Sequence, residues 1–216
     1  MPVLTDFPMK LDAGPALERL GAGAWQRIVD EAMREAEELI SPAIAYAVHP
    51  VVGVEESRLI VDGGAALESA VVASLFGSAP EVVPMIFTIG PRLEERVAEY
   101  GRANDFPASF ALDVIGSIAV TQVGAVGYEL IEGLARERGV KASIPLNPGT
   151  SHWPMSGQRV IAGLVPAAEI GVEVLPSDIL RPFKSIAFVV ALGTDVLTPA
   201  EGSSCDYCER RDLCRG

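Results

Sequence analysis

The longest regular pattern in this 216-residue chain runs over residues 105–138, and it constrains what the rest can pack against. Asp105 can cap a helix, Pro107 stands at an early helical position where its missing N–H costs little, and Gly139 ends the pattern. The middle is rich in small residues: Gly116, Ser117, Ala119, Gly124, Ala125 and Gly127 recur along an apolar stretch. A helical glycine costs about 1 kcal/mol relative to alanine. Either another element approaches this backbone closely, or the helix breaks near residues 124–127.

Around it, helical and extended patterns are mixed. Trp25, Ile28, Val29, Ala32, Ala36, Leu39 and Ile40 repeat at three- and four-residue spacing, which predicts an amphipathic helix closed by Ser41-Pro42. Residues 43–52 are extended in character, residues 57–61 predict a strand running into Asp62-Gly63-Gly64, and a short helix over 66–76 ends at Gly77. Residues 82–89 predict a strand whose early part Pro84 confines to an edge, a bulge or the strand's first residues, with a charged helix over 92–100 behind it. Residues 158–165 predict a short helix, and 170–175 and 185–192 predict strands. Strands and helices do not alternate regularly, so the fold class is α+β. The organisation expected is one α+β domain over residues 1–197, its N-terminal helical part at about 10–42, followed by a polar, cysteine-bearing tail over 198–216.

With 29 acidic against 17 basic residues the net charge is −12, which repels a phosphate backbone and argues against nucleic acid as a partner. The uncharged, mostly apolar run over residues 114–128 is too short to span a hydrocarbon core of about 30 Å. No leader-like start is visible, and a cytoplasmic protein without a membrane partner is expected.

Residues 144–158 pack three prolines, two glycines, Trp153 and His152 between two helical patterns. Pro145, Pro148 and Pro154 each fix φ, and Gly149 can adopt φ values closed to other residues. The segment is either a crossover loop stiffened for stability or a pre-shaped binding loop with some backbone free to face a ligand. His152 is a candidate ligand contact, whereas Trp153 suits packing more than stacking. With only His49 and His152, there is little material for a histidine-based zinc enzyme or a serine triad. Asp113, on an apolar helix, suits a hydrogen-bonding role better than a ligand contact.

All three cysteines, Cys205, Cys208 and Cys214, lie in the tail. The C-x2-C spacing of the first two lets two thiolates reach one metal from a tight turn, and nearby Arg210, Arg211 and Arg215 favour the thiolate forms. Three thiolates suit an iron-sulfur cluster completed from elsewhere or a zinc site, and unligated thiols are the third reading.

Pro148-Gly149-Thr150, Trp153-Pro154, Gln158, Ile170-Gly171-Val172, Pro182 and Lys184-Ser185, preceded by Thr88-Ile89-Gly90 and Leu112-Asp113, form an ordered set over about residues 55–195. The set resembles the reactivation domain of cobalamin-dependent methionine synthase. Stand-alone chains of this type resemble companions of corrinoid methyltransferases in one-carbon metabolism. The resemblance implies a curved, mainly antiparallel sheet with long helices. It also implies a role in presenting the methyl group of S-adenosylmethionine to an inactivated cobalamin. Cofactor-facing positions would be Asn147, Pro148, Gly149, Thr150, His152, Trp153, Gln158, Lys184 and Ser185. The family loop carries an Arg four residues before the glycine and a Tyr directly after it; Pro145 and Thr150 stand there in this chain. The expected function is assistance in reactivating or methylating a corrinoid protein, its cobalamin held by that partner, with a tail iron-sulfur cluster as electron carrier. The alternative is a non-catalytic, partner-binding subunit of a corrinoid methyltransferase complex with a tail zinc. A third reading is a stand-alone S-adenosylmethionine-binding protein, and a homodimer is compatible with each.

Overall fold

The computed structural model describes residues 2–5, 7, 9, 11–12, 14–20, 23, 25–209 and 211. Its centre is strand β6, Glu81–Thr88, as numbered in chain order. Strand β10, Ser185–Gly193, runs antiparallel along the length of β6, from Ser185 opposite Thr88 to Leu192 opposite Glu81. On the other flank, β2 (Ala43–Tyr46) and β3 (His49–Glu55) follow each other along β6. Strand β3 then leaves, shifts register between Val51 and Gly53, and pairs with β4 (Arg58–Val61), which pairs with β5 (Ala66–Glu68). Short strands β1 (Val3–Leu4) and β7 (Lys141–Ala142) join β2 and β10. The result is an eight-stranded antiparallel sheet that curls into a half-barrel. A separate ribbon pairs β8 (Glu173–Val174) with β9 (Leu180–Arg181).

Alternation along the central strands sends side chains to two cores. Val83, Met85 and Phe87 of β6, with Phe188, Val190 and Leu192 of β10, meet the helical layer. That layer holds α1 (Gly14–Leu20), α2 (Gln26–Leu39), α4 (Arg92–Arg102) and α5 (Phe106–Glu137). Val82 and Ile86, with Ala187, Val189 and Ala191, point the other way, towards α3 (Ala70–Phe76), α6 (Gly157–Leu164) and Trp153.

Helix α5 is continuous through all 32 residues, so close approach, not a break, accounts for its glycines. A Cβ at Gly124 would stand 2.8 Å from the Phe87 ring, and one at Gly127 would stand 2.6 Å from Met85 Sδ. Asp105 caps the start by accepting from Ala108 N–H at 3.2 Å, and Gly139 follows the end at φ 68°. By length and composition α5 could cross a membrane, but half of its most apolar window is buried in the domain. Here it is the core helix of the layer.

Three local expectations change. Pro84 lies on the central strand and not at an edge. Its partner Val189 turns both main-chain polar groups to Leu146 (2.9 and 3.0 Å), so Pro84 and Val189 form a pair with no hydrogen bond between them. The carbonyl of Pro84 therefore faces the other flank, where it accepts from Ala47 N–H (3.2 Å) at the step between β2 and β3. The missing donor thus falls at an existing gap in the ladder. Residues 66–76 split into β5 and α3, because Ser69 caps the helix by accepting from Val72 N–H at 3.2 Å. Residues 170–175 are mostly not strand: a 3-10 turn over Ala167–Ile170 ends at Gly171 with φ 70°, leaving only two residues to β8.

Candidate functional site

Loop 144–158 starts as an extension of the sheet and ends as a closed turn. Ile144 N–H donates to Leu197 O at 2.7 Å, Leu146 exchanges two hydrogen bonds with Val189, and Asn147 Nδ2 donates to Ala187 O at 3.0 Å. Gly149, at φ 87°, then reverses the chain. Gly149 N–H and Thr150 N–H both donate to Trp153 O (2.9 and 3.2 Å), and Trp153 N–H donates to Thr150 O (3.3 Å). The backbone expected to face a ligand is thus closed on itself at these two amides.

Trp153 is 1% exposed and anchors the turn in the second core, as its packing role predicts. Gly157, at the start of α6, has no room for a side chain: a Cβ would stand 2.8 Å from Trp153 Cε2 and 3.1 Å from Pro148 Cβ. Ser69 Oγ, beside α3, donates to His152 O at 2.7 Å and ties the turn to a second helix.

The hydrogen-bond network assigns the His152 tautomer. The single hydroxyl proton of Thr150 goes to Asn147 O (3.0 Å), so His152 Nε2 must donate to Thr150 Oγ1 (3.2 Å). Nδ1 is left as a lone pair, buried and without a hydrogen-bond partner among the described residues. Burial holds the imidazole below its ordinary value of 6.5, which agrees with a neutral ring. Gln158 Oε1 is likewise buried without a partner among the described residues.

Lys184 and Ser185 stand apart from this turn. Lys184 Nζ reaches to the helical layer, 2.8 Å from both Asp113 Oδ1 and Ser117 Oγ on α5. Together with Glu94, Arg181 and Phe183 this pair lines a cavity of about 440 Å³. Ser185 Oγ donates to Thr88 Oγ1 at 2.9 Å and joins β10 to β6. The structure therefore collects residues 147–158 in one turn, links it to β10 through Asn147, and leaves Lys184 on the other side of the sheet.

The tail does not stand free of the domain. A 3-10 turn over Ser204–Tyr207 is held by a two-way cap: Ser203 N–H donates to Asp206 Oδ2 (2.8 Å), and the Ser203 side chain accepts from the Asp206 backbone N–H. Tyr207 is half-buried against the second core. Cys205 lies in the turn and Cys208 directly follows it, with Cys208 N–H donating to Cys205 O at 3.1 Å. Ser151 Oγ meets this turn from the loop, accepting from Glu209 N–H at 3.0 Å and donating to Cys208 Sγ at 3.6 Å. Sequence spacing gave no sign of Ser151, nor of the buried His49, whose ring lies 2.6 Å from Asp62 Oδ1 and 2.9 Å from Leu164 O.

A thiophilic metal fits the two-thiol turn in kind. Among the described residues, however, no group of three or more His, Cys, Asp or Glu side chains converges, and Cys214 lies outside them. The described part of the site thus offers two thiols, Cys205 and Cys208.

The curled antiparallel sheet with a long helical layer defines a reactivation-domain type of α+β fold. Among solved structures the chain is similar to the MetH reactivation domain bound to AdoHcy. The TM-score is 0.62 at 14% identity, over 96% of this chain and 77% of that one, a likeness of fold. No family model matches the chain, and no curated protein does.

Proposed function

We propose that this protein acts on a corrinoid partner in the cytoplasm, assisting reactivation or methylation of the partner's cobalamin in one-carbon metabolism. One observation carries the reading: the fold likeness to a MetH reactivation domain extends over 96% of the chain, and is not confined to a shared substructure. The ordered motif set from Thr88 to Ser185 lies within that span.

The loop does not fit the charged end of S-adenosylmethionine as the resemblance implies. Its amino-acid carboxylate calls for a cation, and residues 144–158 contain neither Lys nor Arg. Arg159, the next residue, pairs with Asp178 at 2.8 Å, and Lys184 pairs with Asp113. A tail iron-sulfur cluster, held by Cys205, Cys208 and Cys214, would supply single electrons, which zinc cannot. Loop 144–158 and the docked turn then form one face toward the partner.

The test is calorimetric titration of the full chain with a corrinoid protein in its cob(II)alamin state, with and without S-adenosylmethionine. A complex whose cob(II)alamin electron paramagnetic resonance spectrum changes on binding supports the reading. Absence of any complex refutes it. Anaerobic purification followed by metal analysis decides the tail, where zinc alone would leave the non-catalytic partner subunit as the better description.

A further inference from the structure

We propose that two copies of this chain pair about a twofold axis through the N-terminal end of α5, the Phe106–Phe110 ridge of each protomer seating at the cavity beside Lys184 of its partner. The inference does not rest on the corrinoid reading. It concerns the helical side of the sheet, whereas Trp153 anchors loop 144–158 in the core on the opposite side.

Phe106, Phe110, Asp113 and Ser117 follow at spacings of four, three and four residues and form one stripe along α5. The stripe is covered where it meets the start of β10, because Lys184 Nζ lies 2.8 Å from both Asp113 Oδ1 and Ser117 Oγ. Toward the N-terminus the same stripe is open. Phe106 and Phe110 are 64% and 54% exposed, and Phe183, next to Lys184 in the chain, is 61% exposed. The Trp25 ring packs edge-on against Phe110 at 6.1 Å, so that ring is held from one side and presents the other. With about 200 Å² for each phenylalanine, these exposures leave roughly 350 Å² of aromatic surface, the size of patch that marks an association site. A stable interface takes about 800 Å² from each partner. The ridge therefore needs the cavity walls as part of the contact.

Charge selects the occupant. The chain carries −12 overall, yet the ionic groups of the cavity are largely engaged within the protomer: Lys184 pairs with Asp113, and Glu94 Oε2 accepts from Phe183 N–H at 2.6 Å. With their heads engaged, these side chains offer an incoming ring their aliphatic stems, beside Val97, Ala98 and the Phe183 ring. The two charges of the lining that make no side-chain hydrogen bond or ion pair among the described residues, Glu95 and Arg181, are opposite in sign. The Arg181 guanidinium is suited to lie on the face of the ring. A basic partner would be drawn to the acidic remainder of the surface and not to this neutral face. The same face carries both a projecting ring and a recess that can take one. That is the condition for an isologous contact, in which each copy gives and receives the same residues.

Analytical ultracentrifugation of the full chain under reductant, from about 10 to about 500 µM, tests the pairing. The parent should move from one chain mass to two. Phe106→Ser and Phe110→Ser should each weaken association by about thirtyfold or more, as loss of a central aromatic does. Arg181→Ala should weaken it by about three- to tenfold. Val52→Ser, at a residue 69% exposed on β3, is the control and should pair as the parent does. Added salt should tighten the pair, because it screens the repulsion between two acidic chains while the contact itself holds no net charge. A parent that stays monomeric over this range overturns the inference, and so does a dimer that survives both phenylalanine substitutions or dissociates on adding salt. Should the serine variants fail to fold by circular dichroism, hydrogen exchange of the parent decides. Amides of residues 104–110 and 183–184 should exchange more slowly at high than at low protein concentration, and equal rates would overturn the pairing. No arm contains a corrinoid protein, so these outcomes stand apart from the test of the proposed function.

Discussion

Replacing the glycines of α5 one at a time separates the cost of a helical glycine from the reason it is tolerated. Gly133 and Gly124 sit on the same helix, so substitution by alanine brings each the same gain of about 1 kcal/mol in helix propensity. Their surroundings differ. At Gly133 the nearest atom to a new Cβ is Arg136 Nη2 at 4.0 Å, the end of a flexible, exposed side chain. At Gly124 the new methyl would lie 2.8 and 3.0 Å from two carbons of the Phe87 ring. That ring cannot swing aside easily, because it is 2% exposed and packs edge-on against Phe188 at 5.4 Å. Overpacking of this kind costs about 1–3 kcal/mol. Gly133→Ala should therefore stabilise by about 1 kcal/mol, and Gly124→Ala should be neutral to destabilising by about 2 kcal/mol. Because the propensity gain cancels, the gap of about 1–3 kcal/mol measures the close approach alone. Urea unfolding with a shared m-value resolves it, and in a domain of this size each kcal/mol corresponds to roughly 2–4 °C in Tm. Phe87→Leu placed on Gly124→Ala should recover part of the loss. Equal stabilisation by the two alanines would refute the claim that the small residues exist for packing.

The Lys184–Asp113 pair, with side chains 16% and 49% exposed, should show a coupling of about 1 kcal/mol in a double-mutant cycle of Lys184→Met and Asp113→Asn read by urea unfolding. Zero coupling would make the contact incidental. His49→Phe should cost about 1–3 kcal/mol by stranding Asp62 and the Leu164 carbonyl, with faster amide exchange confined to α6; uniform exchange would contradict that placement. For His152 the folded value lies below 6.5, so as pH falls the unfolded chain takes up its proton first. Its contribution is complete above that value and is lost on acidification through it. Unfolding followed down through pH 6.5 should show a steeper fall for the parent than for His152→Gln, and parallel profiles would remove this histidine as the cause.

Elements whose cause is local were legible in the sequence. The amphipathic spacing of α2 and the ends of α5 at Asp105 and Gly139 come from capping and periodicity within a few residues, and each is found where expected. The ordered motifs pointed to the curved antiparallel sheet that the fold likeness supports. Pro84 misled because its tolerance depends on the gap between two other strands, which nothing near it encodes. Ser69 was overlooked for the opposite reason: the cap was present in the sequence, but the apolar run continued across it.

At the candidate site the division is sharper. Proline and glycine content correctly marked residues 144–158 as a stiff, shaped segment, yet composition does not say where its amides turn. Those of Gly149 and Thr150 go to Trp153 O, and the carbonyls of Asn147 and His152 are taken by Thr150 and Ser69 hydroxyls. A ligand or partner at this loop therefore meets side chains more than an open cradle of N–H groups. The exposed ones include Ser151 and Met155, with His152 half-buried between them in the chain. Ser151 is already engaged with the cysteine turn, so anything that alters the turn alters the surface offered. The loop and the tail, separate motifs in the sequence, are then one chemical unit, joined by a residue that carried no signal of its own.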